Sequence, residues 1–428
     1  LPLKICFMNE AFLQFIWKMK LFTTTGIYTT EGEPVTIIHN GEHNTHSGPD
    51  FTNARIKIGD TTWAGNVELH IRSSEWNEHK HSSDRAYDNV ILHVVYVHDD
   101  KKSVMPTLEL NNLIDNDLIQ HYKLMMQTAA WIPCEKSIHQ VEEIVIKQQL
   151  NRLLSERLEQ KALHVENRLL VNNNDWEATC YQLIARSFGT NINADPFEGV
   201  ARSLPYKTIL KHLNQPKQIE ALLFGQAGFL EGSFREIYPH QLQAEYKFLK
   251  TKYQLQGIRP LEWKFLRMRP ANFPTIRMSQ LAAFLATHDR IFSHIIHAPD
   301  SNTIKQLFRA EASPYWKEHY HFKKAAAVKS ATLGKDTINL ILINTIAPLL
   351  FLYGKKMGDE QFCIKAVDLL EHLEPENNTI TRQWANLGLT AKHAGDSQAL
   401  LELKKQYCSN KRCLECSVGY RILKTGKK

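Results

Sequence analysis

The sequence predicts an α+β protein. An N-terminal α/β domain, a mixed sheet with flanking helices, is followed by a mostly α-helical C-terminal domain. Three observations predict this. Apolar residues alternate in runs between Pro34 and Val97, a helical period dominates from Leu113 onward, and turn residues separate the elements. The chain has 428 residues, of which 43% are hydrophobic and 23% charged, enough for two or three domains with real cores. The domain boundaries expected from the change of period are 9–112 and 113–428.

The first helix is expected in "NEAFLQFIWKMKLF", where Phe12, Phe15, Ile16 and Met19 share a stripe and Asn9 can cap. "EPVTIIHN" reads as a strand. "DFTNARIKIG" and "TTWAGNVELHIRS" read as two strands joined by a turn at Gly59-Asp60. "SSEWNEHKHSSDRAYDN" is polar and helix-like or irregular. "VILHVVYV" is apolar almost throughout, as expected of a central strand buried on both faces. The expected order is helix, three strands, helix, strand. Beyond Leu113, helical segments such as "DWEATCYQLIARSFG", with Gly189 as a C-cap, follow one another without a fixed repeat. Ile338 to Tyr353 is the most apolar run. It contains Asn339, Asn344 and Pro348, and it reads as a buried helix too short to span a bilayer.

The net charge of +7 is spread along the chain. It permits nucleic-acid binding without demanding it. Seven cysteines, an odd number, and no secretory pattern at the start point to reduced thiols in a cytoplasm, with no membrane partner. There is no Walker A loop, Gly-x-Gly-x-x-Gly, Gly-x-Ser-x-Gly or His-Glu-x-x-His.

The chemistry concentrates in "HSGPDFTNARIKIGDTTWAGNVELH". Along a strand, Glu68 and His70 share one face and Val67, Leu69 and Ile71 the other. The hairpin folds Asp50 back toward Glu68. Two carboxylates and an imidazole brought together suit Mg²⁺ or Mn²⁺, which can activate water and stabilise charge on a phosphate. The register matters. A two-residue turn pairs Ile56 with Trp63 and Ala54 with Gly65, and continued straight it sets Asp50 opposite Leu69. A bulge is needed to bring Asp50 to the Glu68 face, and Gly65 is its expected place.

Two resemblances follow from these residues. The element order, with Pro49-Asp50 opening the second strand of the order and Glu68-Leu69-His70 in the third, resembles the PD-(D/E)xK nuclease superfamily. That resemblance implies a metal-dependent nuclease acting on nucleic acid, with Asp50 and Glu68 as ligands and Glu10 as an extra acid on the first helix. His70 stands where that superfamily has lysine, so a neutral imidazole would orient or deprotonate the water, or become a third ligand. Over most of the chain, "NEAFLQFIWK", "GPDFTNARIKIGDTTWAGNVELH", "AYDNVILHVV", "EALLFGQAG" and "RMRPANFPTIRMSQLA" resemble one family of uncharacterised bacterial proteins.

Eight of the 20 histidines fall between His39 and His98. His79 and His81 could meet Glu68 and His70, which gives the alternative of a zinc hydrolase. A catalytically degenerate scaffold binding nucleic acid or protein is the other alternative, favoured by the missing lysine. His93 is expected to be a core histidine with a backbone partner, and Tyr87 either a substrate contact or an aromatic anchor. Arg72, Arg267 and Arg269 are candidate substrate contacts, the latter two in "RPLEWKFLRMRP", where arginines and aromatics interleave. Finally, Cys408, Cys413 and Cys416 can reach one metal, with Cys134 as fourth ligand for Zn²⁺ or an iron–sulfur cluster. Free thiols in a helical terminus are the alternative.

Overall fold

The structure, a computed structural model, describes residues 8–100, 105–256, 263–266, 268–322, 324–325 and 331–425. The chain divides into two compact units. One comprises Leu1–Gln149 with Leu403–Lys428, the other Leu150–Glu402. The first boundary thus falls later than the change of period at Leu113, and the C-terminal cysteines belong to the first unit.

The first unit begins with helix α1 (Glu10–Lys18). Asn9 caps it, its side chain accepting from the Phe12 N–H at 2.8 Å. Of the expected stripe, Phe12, Phe15 and Ile16 are buried together with Leu13 and Trp17, while Met19 is the half-buried C-cap just past the helix. Phe12 stacks on Tyr122 of α3 (Asn116–Gln127) with ring centroids 3.8 Å apart. A seven-stranded mixed sheet follows: β1 (Ile27–Tyr28), β2 (Pro34–His39), β3 (Glu42–His43), β4 (Phe51–Ile58), β5 (Thr61–Arg72), β6 (Val90–Val97) and β7 (Thr107–Glu109). The spatial order is β1-β2-β4-β5-β6-β7, with β3 also on β4. β4 and β5 form the expected antiparallel hairpin, whereas β6 runs parallel to both β5 and β7. Parallel pairing requires a crossover, and residues 73–89 supply it, with short helix α2 (Glu75–Glu78) and two 3₁₀ turns. β6 is buried nearly throughout, as its apolar run predicts.

The bulge is present, at a different place. Ala54 pairs with Gly65 as expected, yet Phe51 pairs with Val67, so the extra residue lies in β4 between Phe51 and Ala54. Asn53 supplies the turn there at φ +59°, a conformation that asparagine tolerates better than most residues. Gly65 serves another purpose. A Cβ on it would lie 2.4 Å from Ile91 Cγ2 and 2.6 Å from the Asn89 carbonyl oxygen. Glycine therefore lets the incoming β6 approach β5 closely.

The second unit is mostly helical, with Phe188, Phe224, Phe284, Phe308, Trp316 and Trp384 fully buried. The apolar run is longer than its sequence suggests. Lys335–Ile341, a π turn at Leu342–Ile346 and Ala347–Met357 make one helical run of 23 residues. By length and composition it could cross a membrane, and 72% of its apolar window is buried inside the protein. Pro348 has no N–H to complete a regular turn, and the π turn just before it absorbs the irregularity. Gly189 does end its helix, at φ −69° rather than in the left-handed region. It is needed for space, since a Cβ would lie 2.3 Å from the Asn193 carbonyl oxygen.

Candidate metal centre

The bulge decides the site. One extra residue in β4 sets Asp50 across from Glu68 instead of Leu69. The Asp50 N–H donates to Glu68 Oε2 at 3.0 Å, and Asp50 Oδ2 accepts from the Leu69 N–H at 3.0 Å. Gln14, one turn beyond Glu10 on α1, donates to Asp50 Oδ1 at 2.8 Å. Each oxygen of Asp50 thus has one donor and a further lone pair, while Glu68 keeps Oε1 for other partners.

That oxygen faces imidazoles. It lies 3.7 Å from His70 Nε2 and 3.5 Å from His81 Nε2. His70 and Glu68 are both buried on one face of β5. His79 and His81 come from the crossover. Lys80 between them is left-handed at φ +58°, which turns the chain so that both rings return to His70. One ligand nitrogen from each of His70, His79 and His81 lies within 4.8 Å of the others. The crossover is tied at its start: Glu75 Oε2 accepts from the Ile71 and Arg72 N–H groups, and Asp99 accepts from Ser73 and Ser74.

His93 is buried, as expected of a core histidine, but its partner is not backbone. His70 Nδ1 and His93 Nε2 are 2.9 Å apart, so one ring donates to the other. If His70 uses Nε2 for a cation, its Nδ1–H must be the donor, and His93 then fixes the tautomer. Trp76 packs edge-on against His81 and near His93, walling the cluster, and donates from Nε1 to Ser82. Tyr87, half-buried, stacks on His81 at 3.8 Å between centroids.

The electrostatics point to missing positive charge. Burial pushes the Glu68 carboxyl up to about 8, with Asp50 and Glu10 adding to it. Burial raises Asp50 to about 6, against the Leu69 N–H that favours its charged form. Burial and the neighbouring imidazoles hold His70 down at about 3 and His93 at about 4, and His81 is lowered as well. All three rings are thus neutral, the form that ligates metal. His81 Nε2 and His93 Nδ1 are buried without a hydrogen-bond partner, the 3.5 Å contact of His81 to Glu68 being too long to serve.

Other expected residues lie elsewhere. Glu10 is exposed on the first turn of α1 and reaches the two acids only electrostatically. Arg72 is exposed at the end of β5. Arg269 is exposed in the second compact unit, and Arg267 lies outside the described residues. The aromatics beside them are packed rather than presented. Trp263 Nε1 donates to the Ala227 carbonyl at 2.9 Å, and Phe265 meets Phe273 and His321. Sequence reasoning missed Gln14, Trp76 and the ring partnership of His93. Of these only Gln14 left a signal, its i+4 spacing from Glu10.

The chain matches the profile of one family, described as a protein of unknown function (DUF2851), over residues 10–379. No curated protein and no solved structure matches it.

Proposed function

The chain belongs to the DUF2851 family of proteins of unknown function, and we propose that it is a metal-dependent phosphodiesterase acting on nucleic acid. The cation is held by Glu68 and by the imidazoles of His70, His79 and His81. The observation that carries this reading is the convergence of those three rings, within 4.8 Å, beside the one free oxygen of a buried carboxylate. Three nitrogens and one oxygen suit Zn²⁺ or Mn²⁺ better than Mg²⁺, which prefers oxygen and retains its waters. A cation there would supply an acidified water and a countercharge for a phosphate.

The protein's own residues do the rest. His93 orients His70, Tyr87 and Trp76 hold His81, and Asp50 locks β4 to β5 so that Glu68 keeps its place. The phosphodiester substrate is supported by the likeness of Pro49-Asp50 and Glu68-x-His70 to the PD-(D/E)xK nucleases, in a mixed sheet that follows α1. A second reading, with Mg²⁺ or Mn²⁺ between Asp50 and Glu68, is favoured by the bulge that sets these acids face to face.

The test is cleavage of single- and double-stranded DNA and RNA with Mg²⁺, Mn²⁺ or Zn²⁺, beside Asp50→Ala, Glu68→Ala and His79→Ala. Loss in Glu68→Ala and in His79→Ala supports the imidazole centre. Activity with Mg²⁺ that survives His79→Ala favours the second reading. No cleavage under any condition overturns both.

A further inference from the structure

The first compact unit contains a second group of ligand-bearing side chains that the histidine centre does not use. Cys134 lies in the turn beyond α3. Cys408 ends the helical turn Leu403–Cys408, Cys413 opens a 3₁₀ turn, and Cys416 immediately precedes the C-terminal helix Ser417–Thr425. The two segments are far apart in sequence and stitched together in space. Lys404 Nζ donates to the Trp131 carbonyl at 2.8 Å, Lys411 donates to that of Met126, and Gln149 Oε1 accepts from the Ser417 N–H at 2.9 Å. Within the C-terminal segment, Gly419 lets the last helix close on the Cys413 turn, because a Cβ there would lie 2.2 Å from the Cys413 carbonyl oxygen. Cys134, Cys413 and Cys416 are buried, Cys408 partly so, and none is in a disulfide. Every pair among the four thiols is within electrostatic reach.

We propose that Cys134, Cys408, Cys413 and Cys416 hold a metal as four thiolates, in a structural centre that clasps the C-terminal segment into the first unit. Packing explains single buried cysteines. Cys180 is fully enclosed in its helix, and Cys363 donates to the Phe351 carbonyl. It does not explain four thiols drawn from two distant segments to within electrostatic reach of one another without forming a disulfide. A soft or borderline cation suits such a set, because coordination deprotonates a thiol outright and lets neighbouring sulfurs share one charge. Four cysteines, two of them spaced Cys413-x2-Cys416, close a structural Zn²⁺ site or an iron–sulfur cluster with no position left open for substrate.

The full chain, with His79→Ala and His81→Ala introduced to remove the other centre, is purified anaerobically and assayed for zinc, iron and acid-labile sulfide. Zinc near one per chain, or iron with sulfide and a visible absorption band, is expected and tells the two forms apart. Cys408→Ser added to that chain should bring the metal to background, and Cys363→Ser should leave it unchanged. Since Cys408→Ser could fail to fold, the parent chain is also titrated with a mercurial. Metal should leave in step with the thiols modified. A folded parent chain with no metal, or metal that survives modification of all accessible thiols and Cys408→Ser alike, overturns the proposal. The histidine centre is absent throughout, so its own failure has no bearing on the result.

Discussion

Two buried glutamates show how the same residue can serve opposite ends. Glu220, in the second compact unit, is enclosed by donors. Ser279 Oγ donates to Oε1 and Tyr238 Oη to Oε2, with Ser313 2.8 Å beyond Tyr238. Burial still raises its pKa, and these hydroxyls oppose the rise. Glu68 has one backbone donor, a second carboxylate facing it, and imidazoles that carry no charge to offer. His81 Nε2, 3.5 Å from Glu68 Oε1, is buried without a hydrogen-bond partner. A buried polar group is tolerated once its hydrogen bonds are made, so Glu220 reads as architecture. An acid left among unfilled acceptors reads as half of a cation site.

The most direct way to break this contrast is to make one substitution in both places. Glu68→Gln should take phosphodiesterase activity to background and lower bound Zn²⁺ or Mn²⁺ by about one equivalent per chain, measured by elemental analysis, because an amide oxygen cannot balance a divalent charge. Glu220→Gln should leave both unchanged. Equal loss in the two variants would mean that Glu68 acts only through folding. A smaller effect is expected one contact further out. His93→Phe removes the acceptor that fixes the His70 tautomer, and metal affinity should fall by about 10–100-fold in a competition assay. An unchanged affinity would return His93 to the status of core filler.

The bulge comes next. Asn53→Val forces a β-branched residue into a left-handed conformation and should cost about 1–3 kcal/mol in denaturant unfolding, while Asn53→Gly costs far less. If Asn53→Val unfolds like the wild type, the bulge is not strained and its placement of Asp50 needs another cause. The smallest effect concerns pH. The folded pKa of Glu220 is raised above its unfolded value of 4.5. Its contribution is therefore full below that value and is lost as pH rises, since the unfolded state releases the proton first. Chemical unfolding of the second unit between pH 4 and 8 should show a flatter pH dependence in Glu220→Gln. A steeper one would contradict the sign.

Much of the frame was legible because it depends on local periodicity. The α1 stripe, the Asn9 cap, the Gly59-Asp60 turn and the buried β6 run all follow from residues a few positions apart. So did the shared face of Glu68 and His70, since a strand alternates whatever lies beside it. The bulge was legible as a necessity and not as a location. Gly65 is the natural place for it by sequence, yet Asn53 in β4 takes the left-handed position and Gly65 serves the approach of β6. The parallel direction of β6 was hidden too, because its pairing is set by the crossover and not by its own sequence.

The sequence by itself determined which side chains could carry chemistry and which face of each strand or helix they occupy. Period, charge and capping are properties of neighbours along the chain. Only the tertiary structure decided which of those side chains meet. It brought the crossover histidines to His70, gave His93 a ring in place of a backbone partner, engaged both oxygens of Asp50, and tied the C-terminal cysteine segment to Met126 and Trp131 near Cys134. Those contacts join residues from separate elements, and their distances depend on one extra residue in β4, one left-handed Lys80 and the returning C-terminal segment. No local pattern encodes such closures, because each is fixed by the packing of the unit as a whole.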